Sequence, residues 1–332
     1  VAFSLCPYCA IFEKTLTMKT TLLFLSVFLT TSLFGQNVYI PDANFKGCLV
    51  GNPYINTNGD TEIQVSEANV FDGNLVCVES AISDLTGIEA FISITGLTLM
   101  HNQLTSLDVS QNTALESLWC TFNSLTNLDV SQNNALKSLN CRDNQLTSLN
   151  VSQNVALESL ECSYNQLTSL DVSQNSALTE LDCRDNQLIS FDINESNLLT
   201  ELICYDNQLT SLDVSENTAI VTLECYNNQL TNIDVSQLSY LQYFKCSGNQ
   251  LTSIDVSQNS NLYLFDVGNN GMINIEGIEN LSLNTLSVGF TQLTSLDLSQ
   301  HNSLYYLTIG YNSQLSCLKI GAAGNIYSIN IV

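Results

Sequence analysis

Residues 136–156 read LKSLNCRDNQLTSLNVSQNVA, and near-copies of this stretch recur every twenty-one residues on both sides of it. Aligned on their first apolar residue, the copies begin at Ile94, Leu115, Leu136, Leu157, Leu178, Leu199, Ile220, Leu241, Leu262, Leu283 and Leu304, with no insertion or deletion. A fixed period in the twenties marks a solenoid, in which each coil buries its apolar face against its neighbours. Within a copy the second half, Leu146-x-x-Leu149-x-Val151-x-x-Asn154, repeats the grammar of the first, Leu136-x-x-Leu139-x-Cys141-x-x-Asn144. Alternation of inward Leu139 and Cys141 predicts a strand, and Leu149 with Val151 predicts a second, shorter extended segment. The expected architecture is a parallel β-sheet on the concave face, short extended segments on the convex face, and an array roughly 50 Å long at a coil spacing of ~4.8 Å.

In-register stacking turns each position of the repeat into a column. The column Asn102, Asn123, Asn144, Asn165, Asn186, Asn207, Asn228, Asn249, Asn270 and Asn312 is read as structural, its amides bonding the turn backbone of neighbouring coils. Cys120, Cys141, Cys162, Cys183, Cys204, Cys225 and Cys246 form another column, continued by Val267, Val288 and Ile309. Side chains held at strand spacing lie too far apart for disulfides, and a straight row does not converge on a metal, so these thiols are expected to be small core residues. An acidic column, Asp108, Asp129, Asp171, Asp192, Asp213, Asp234, Asp255, Glu276 and Asp297, is interrupted by Asn150. It is either a row of turn-bonding carboxylates or a stripe for cations. The positions flanking the inward Leu and Cys differ from copy to copy and include Trp119, Phe122, Arg142, Asp143, Tyr164, Arg184, Asp185, Tyr205, Tyr226 and Tyr243. Aromatic residues and arginine dominate binding hot spots, so Trp119, Phe122, Arg142, Tyr164, Arg184, Tyr205, Tyr226 and Tyr243 are the expected ligand surface. The competing reading has the tyrosines merely shielding the sheet.

Thirty-two acidic against eight basic residues argue against nucleic acid or an anionic membrane as the main partner, since both require a basic footprint. Histidine occurs only at His101 and His301, neither in a recognisable motif, and no nucleophile, base and oxyanion arrangement can be assembled, so no enzymatic activity is expected. Residues 18–35 have the form of a secretory signal: Lys19, an apolar run over 22–34, and Gly35 before Gln36. That run is too short to span a bilayer, and no later stretch is long enough. Residues 1–17 are read as an upstream extension of the frame; their Cys6-Pro7-Tyr8-Cys9 resembles a glutaredoxin redox motif without the fold context that such chemistry needs.

Residues 36–92 depart from the repeat and are expected to form the N-terminal cap. Asn56 through Glu67, NTNGDTEIQVSE, matches the twelve-residue EF-hand loop, with Asn56, Asn58 and Asp60 at loop positions one, three and five, the Glu62 carbonyl at seven and Glu67 at twelve. Thr61 replaces the usual glycine, and Asn56 replaces the usual aspartate. The loop is thus either a Ca2+ site of weak, extracellular-type affinity or a polar turn joining two cap helices, expected over 42–49 and 65–71. Cys48 and Cys77 are either bridged, as an exported chain permits, or two buried thiols.

Each copy, L-x-x-L-x-C-x-x-N-x-L-T-x-L-D-V-S-x-N, resembles the leucine-rich repeat with cysteine at its third leucine position, over about two-thirds of the chain. The cap, through Ile40-Pro41-Asp42-Ala43-Asn44-Phe45 and Asp84-Leu85-Thr86-Gly87-Ile88-Glu89, is similar to that of secreted Bacteroidetes-type leucine-rich repeat proteins. The resemblance implies a leucine-rich repeat solenoid with a small helical N-terminal cap, repeats over 93–312, and often a C-terminal sorting domain. Nothing after Ile320 resembles such a domain, so residues 313–332 are expected to form a shortened C-terminal cap. The function expected is that of a secreted or cell-surface scaffold that binds a protein or a glycan through its concave face. The alternative is a structural surface or matrix component whose acidic array binds cations.

Overall fold

The computed structural model describes residues 35–280, 283–321 and 328–330. The expected upstream extension, the Cys6 and Cys9 pair and, apart from Gly35, the signal segment lie outside the described residues. Two short helices, Ala43–Val50 and Val65–Val70, occupy the positions expected for the cap. The strands that follow are β1 (Asn74–Val76), β2 (Gly96–Thr98), β3 (Ser117–Trp119), β4 (Ser138–Asn140), β5 (Ser159–Glu161), β6 (Glu180–Asp182), β7 (Glu201–Ile203), β8 (Thr222–Glu224) and β9 (Tyr243–Lys245). They continue with β10 (Ser253–Asp255), β11 (Leu264–Asp266), β12 (Asn274–Glu276), β13 (Thr285–Ser287), β14 (Ser295–Leu298), β15 (Tyr306–Thr308), β16 (Cys317–Ile320) and β17 (Ser328–Asn330).

Thirteen of these form one parallel sheet in the order β1-β2-β3-β4-β5-β6-β7-β8-β9-β11-β13-β15-β17. In its centre the register repeats coil by coil, with Ser138, Leu139 and Asn140 opposite Ser159, Leu160 and Glu161. Among the described residues the opposite, convex face carries only single bridges, such as Asp108 with Asp129, and the two-stranded pairs β10-β12 and β14-β16. This is the expected division into a regular concave sheet and short convex extended segments.

The ends differ from the sequence reading. The cap supplies β1, which pairs with β2, so the sheet starts one coil before the regular repeats. At the other end β16 pairs with β14 and β17 with β15. Residues 317–320 and 328–330, within the expected C-terminal cap, therefore continue the stack by strand pairing: β-pairing requires backbone register, not the leucine motif.

The core is a column of coils, each contributing a set such as Leu136, Leu139, Cys141, Leu146, Leu149 and Val151, all buried. The first asparagine column acts as anticipated. Asn144 Oδ1 accepts the Leu125 N–H at 2.9 Å, and its Nδ2 donates to the carbonyls of Cys120 and Cys141 at 3.0 Å. A second column, Asn112, Asn133, Asn154, Asn175, Asn217 and Asn259, is fully buried on the other side of the coil. There Asn133 Nδ2 donates to the Val109 and Asn112 carbonyls at 3.0 and 2.9 Å. All seven column cysteines are buried free thiols. Burial pushes the Cys120 and Cys225 thiols up to about 12, which leaves them protonated and inert.

Asp42 joins the cap to the array. Its Oδ1 caps the first helix by accepting the Asn44 and Phe45 N–H groups, while its Oδ2 accepts the Ser83 N–H and hydroxyl and the Asp84 N–H. Partial burial works to raise this carboxyl, but the hydrogen bonds from the Ser83 backbone, the Phe45 backbone, the Ser83 hydroxyl and the Asp84 backbone outweigh it and hold the group at about 2. Cys48 and Cys77 are bridged, their Cα atoms 6.0 Å apart across a separation of 29 residues. Closing a loop of that length stabilises the fold by about 3–4 kcal/mol in the chain-entropy model. A Cys48→Ser, Cys77→Ser double variant is therefore expected to lose stability of that order in denaturant melts, with the loss concentrated in signals from the cap.

Candidate binding surface

Each coil passes from its three-residue strand through the buried cysteine into a tight turn that the asparagine amide closes. One turn position is left-handed in nearly every coil: His101, Phe122, Asp143, Tyr164, Asp185, Asp206, Asn227, Gly248, Asn269, Phe290 and Tyr311 all have positive φ. Aspartate and asparagine tolerate this region, whereas a bulky L-residue is disfavoured there by about 1–2 kcal/mol. Phe122 and Tyr164 accept that cost at φ of 54° and 53°.

Their rings belong to a stack that the sequence did not reveal. His101 and Phe122 stack with centroids 4.3 Å apart. The Arg142 guanidinium lies 5.9 Å from the Phe122 ring and 4.8 Å from the Tyr164 ring. Arg184 lies 5.7 Å from Tyr164 and 5.4 Å from Tyr205, and Tyr205 stacks on Tyr226 at 4.0 Å. Seven consecutive coils thus each contribute one ring or guanidinium to a continuous ladder along the edge of the sheet. Cation–π contacts of this kind are worth about 0.5–1 kcal/mol at exposed sites, comparable to the backbone cost at the left-handed positions.

Six of the eight anticipated ligand residues, Phe122, Arg142, Tyr164, Arg184, Tyr205 and Tyr226, are therefore placed on this rim, beyond the ends of the strands. Only Trp119 and Tyr243 lie on strands, in β3 and β9, where they are 42% and 39% exposed. The reason is strand length: the strands end one residue before the cysteine, and the residues that follow it turn off the sheet.

The sheet face proper has three zones. At the cap end Val76 and Val78 are exposed, Val76 standing two strands from Trp119 with Thr98 between them. At the far end Tyr243 meets Tyr263 edge-on at 6.0 Å, and Tyr305 and Tyr306 follow. Between them lies an acidic block from Glu161, Glu180, Asp182, Glu201 and Glu224, of which the first four line a shallow depression of about 290 Å³ and Glu224 stands beyond Ile203. Arg184 pairs with Asp182 at 3.4 Å and Lys245 with Glu224 at 2.7 Å. Glu161 accepts from the Asn140 amide at 2.7 Å. Burial raises the Asp182 carboxyl to about 6, with Glu161 adding to the effect and Arg184 opposing it. Burial, then the charges of Glu180, Glu224 and Glu161, raise Glu201. These acids occupy the positions on either side of the central leucine, so the repeat alignment carries their signal although none of them is aromatic or arginine.

On the convex face the acidic column holds turns. Asp108 and Asp171 accept the N–H two residues on, from Ser110 and Ser173, at 2.9 and 3.0 Å, and Asn150 does the same for Ser152 at 3.0 Å. Hydrogen bonds from the Ser110 backbone and hydroxyl lower the Asp108 carboxyl.

The cap loop is closed by its own donors. Glu67 Oε1 accepts from the Thr57 N–H, the Thr57 hydroxyl and the Asn58 N–H, and Oε2 accepts the Gln64 N–H of the second helix's capping box. Asn56 Oδ1 takes the Gly59 N–H, Asp60 Oδ1 takes the Glu62 N–H, and the Glu62 carboxylate pairs with Lys46. No helix among the described residues is long and apolar enough to cross a membrane.

The family model that matches residues 62–175 is that of the leucine-rich repeat domain of the endo-β-N-acetylglucosaminidase EndoS. The functional domain of InlJ from Listeria monocytogenes, which includes a cysteine ladder, is 33% identical with a TM-score of 0.64, the match covering 85% of this chain and 75% of that one. The chain belongs to the leucine-rich repeat family. A second leucine-rich repeat protein, LIC12759 of Leptospira interrogans, is 28% identical with a TM-score of 0.63 over 69% of this chain and 64% of its own. An internalin from Listeria monocytogenes, 20% identical with a TM-score of 0.64 over 84% of this chain and 95% of its own, shares the leucine-rich repeat fold. No curated protein sequence matches significantly.

The two ends of the Asp182 titration define a test of the acidic block. Its carboxyl stands at about 6 in the fold against 3.8 for the free group, so its contribution to stability is intact below pH 4 and lost as pH rises through 6. Asp182→Asn is expected to gain about 3 kcal/mol at pH 8 and nothing near pH 4, read from paired denaturant melts.

Proposed function

We propose that the chain is a non-catalytic binding scaffold, exported to the cell surface or beyond, that recognises a protein ligand through the concave face of its leucine-rich repeats. The export signal and the resemblance of residues 40–45 and 84–89 to Bacteroidetes-type secreted relatives belong to the same proposal. The observation that carries it is the contrast between an invariant frame and a variable outer face, with Trp119 and Tyr243 exposed on rigid strands at either end of a charged centre. Rigid exposed aromatic residues supply contact area at low entropic cost.

Protein is favoured over glycan by the rim ladder. A sugar packs its C–H face on the face of an aromatic ring. In the ladder those faces are already shared between neighbours, as Tyr164 is between Arg142 and Arg184 and Tyr226 is against Tyr205. Ring edges and hydroxyls remain, and these suit peptide groups. The alternative role as a cation-linked matrix component draws on the convex aspartates, each of which has one oxygen engaged in its own turn; it requires calcium-dependent self-association of the purified chain.

Two measurements follow. Selection of a displayed random-peptide library on the chain from Gln36 onward is expected to enrich peptides whose affinity drops at least tenfold in a Trp119→Ala, Tyr243→Ala variant, while a glycan array stays at background. Array binding abolished by those changes would move the reading to glycans, and enriched peptides indifferent to them would sink the concave site. For the cap loop, Ca2+ proposed from the spacing has to displace the donors held by Glu67 and Asp60, so a millimolar-class site is expected. Calorimetric titration checks it: one weak site present in the wild type and absent in Asp60→Ala, Glu67→Ala bears the proposal out, and no heat removes it.

A further inference from the structure

The concave acidic block differs from the other carboxylates in what it does for the fold. Each convex aspartate closes a turn, Asp42 ties cap to array, and Glu67 closes the cap loop. The block closes no turn in this way except through Asp182, which accepts the Arg184 N–H. Its ion pairs go to Asp182 and Glu224, leaving Glu161, Glu180 and Glu201 without one among the described residues. In-register pairing sets Glu161 beside Asp182 and Glu180 beside Glu201, so like charges stand about 4.8 Å apart. Direct opposition of like charges is destabilising, and neither packing nor turn geometry in the solenoid requires it.

The shape of the block indicates what would neutralise it. The carboxylates spread over four strands, and among the described residues no three acidic, histidine or cysteine groups converge as a metal site would need. A row of separated carboxylates matches a row of separated cations. Exposed aromatic residues bound the row on β3 and β9, six strand spacings or about 29 Å apart. An extended peptide spans that distance in about nine residues, and a helix in about nineteen.

We propose that the concave face from β3 to β9 receives a lysine- or arginine-rich segment of a partner protein, its cations over Glu161, Glu180, Asp182, Glu201 and Glu224 and its apolar flanks against Trp119 and Tyr243. This deepens the concave-face reading and rests on it. Steering by the block also accelerates encounter with such a partner, an effect that falls steeply with ionic strength.

The probe is a fluorescein-labelled peptide with six central lysines and two leucines at each end, followed by anisotropy at low and physiological salt, with a glutamate peptide of the same design as control. Because the whole chain is acidic, two variants carry equal charge changes. One neutralises the block (Glu161→Gln, Glu180→Gln, Asp182→Asn, Glu201→Gln, Glu224→Gln). The other neutralises five convex positions (Asp129→Asn, Asp171→Asn, Asp213→Asn, Asp234→Asn, Asp255→Asn), where Asn150 shows that asparagine keeps the turn. Thermal melts establish that both fold. The lysine peptide is expected to bind the wild type, to bind the concave variant at least tenfold more weakly, and to bind the convex variant within twofold of wild type. No binding to the wild type, or equal weakening in both variants, overturns the proposal. Binding that depends on the acids yet ignores Trp119→Ala, Tyr243→Ala upholds the basic partner and removes the aromatic anchors instead. Library peptides lost with the aromatic residues but indifferent to the acids uphold the concave site and remove the basic partner.

Discussion

The hydrogen bonds of one asparagine side chain per coil underlie the rest of the molecule. At the corner after each strand the chain turns inward, and its N–H and carbonyl groups are shut away from water. Asn144 serves a neighbouring coil with its oxygen and two coils with its nitrogen, and Asn165 and Asn186 repeat the arrangement. Leaving such groups unpaired costs about 1–3 kcal/mol each. Because the partners sit at fixed offsets in the preceding coil, an inserted residue would break several bonds at once. The unbroken period of the central repeats and the register of the sheet both express this constraint.

Stacking in register makes every position meet its own kind. Leucine and cysteine gain from it, since identical apolar shapes nest and the buried thiols stay protonated. Rings and guanidiniums gain as well, and the His101 to Tyr226 ladder shows that contacts between coils support aromatic residues at left-handed turn positions that ordinarily exclude them. Carboxylates do not gain. On the convex face repulsion is offset locally, because each aspartate accepts an N–H from its own turn. On the concave face the offset is partial: Arg184 and Lys245 pair with Asp182 and Glu224, while Glu161, Glu180 and Glu201 have no ion pair among the described residues, and Asp182 and Glu201 are raised by burial and by their neighbours. The same architectural rule therefore yields a self-satisfied back and a front with unused charge, and it is the front that has something to offer a partner.

The cap illustrates a different use of the same chemistry. Asp42 and Glu67 are surrounded by N–H and hydroxyl donors, and each fastens two segments that sequence reading treats as separate: a helix start with the first coil, and a loop with the capping box of the second helix. Together with the Cys48–Cys77 bridge they close the first coil against solvent, which a solenoid requires at its ends.

The period, the two half-coils, the buried columns of leucine, cysteine and asparagine, and the approximate limits of the cap helices were legible in the residue order, because each follows from spacing along the chain. The residue order also marked which positions vary. Where those positions point was decided by the tertiary structure. Strands of three residues send Arg142, Tyr164 and Arg184 to the rim and leave Trp119 and Tyr243 on the face, and that depends on where each turn begins. The ladder of rings and the partly relieved acidic block arise between residues about twenty positions apart, brought together by stacking alone. Local patterns dictate what each coil is; only contact between coils decides which charges and rings find partners and which remain for a ligand.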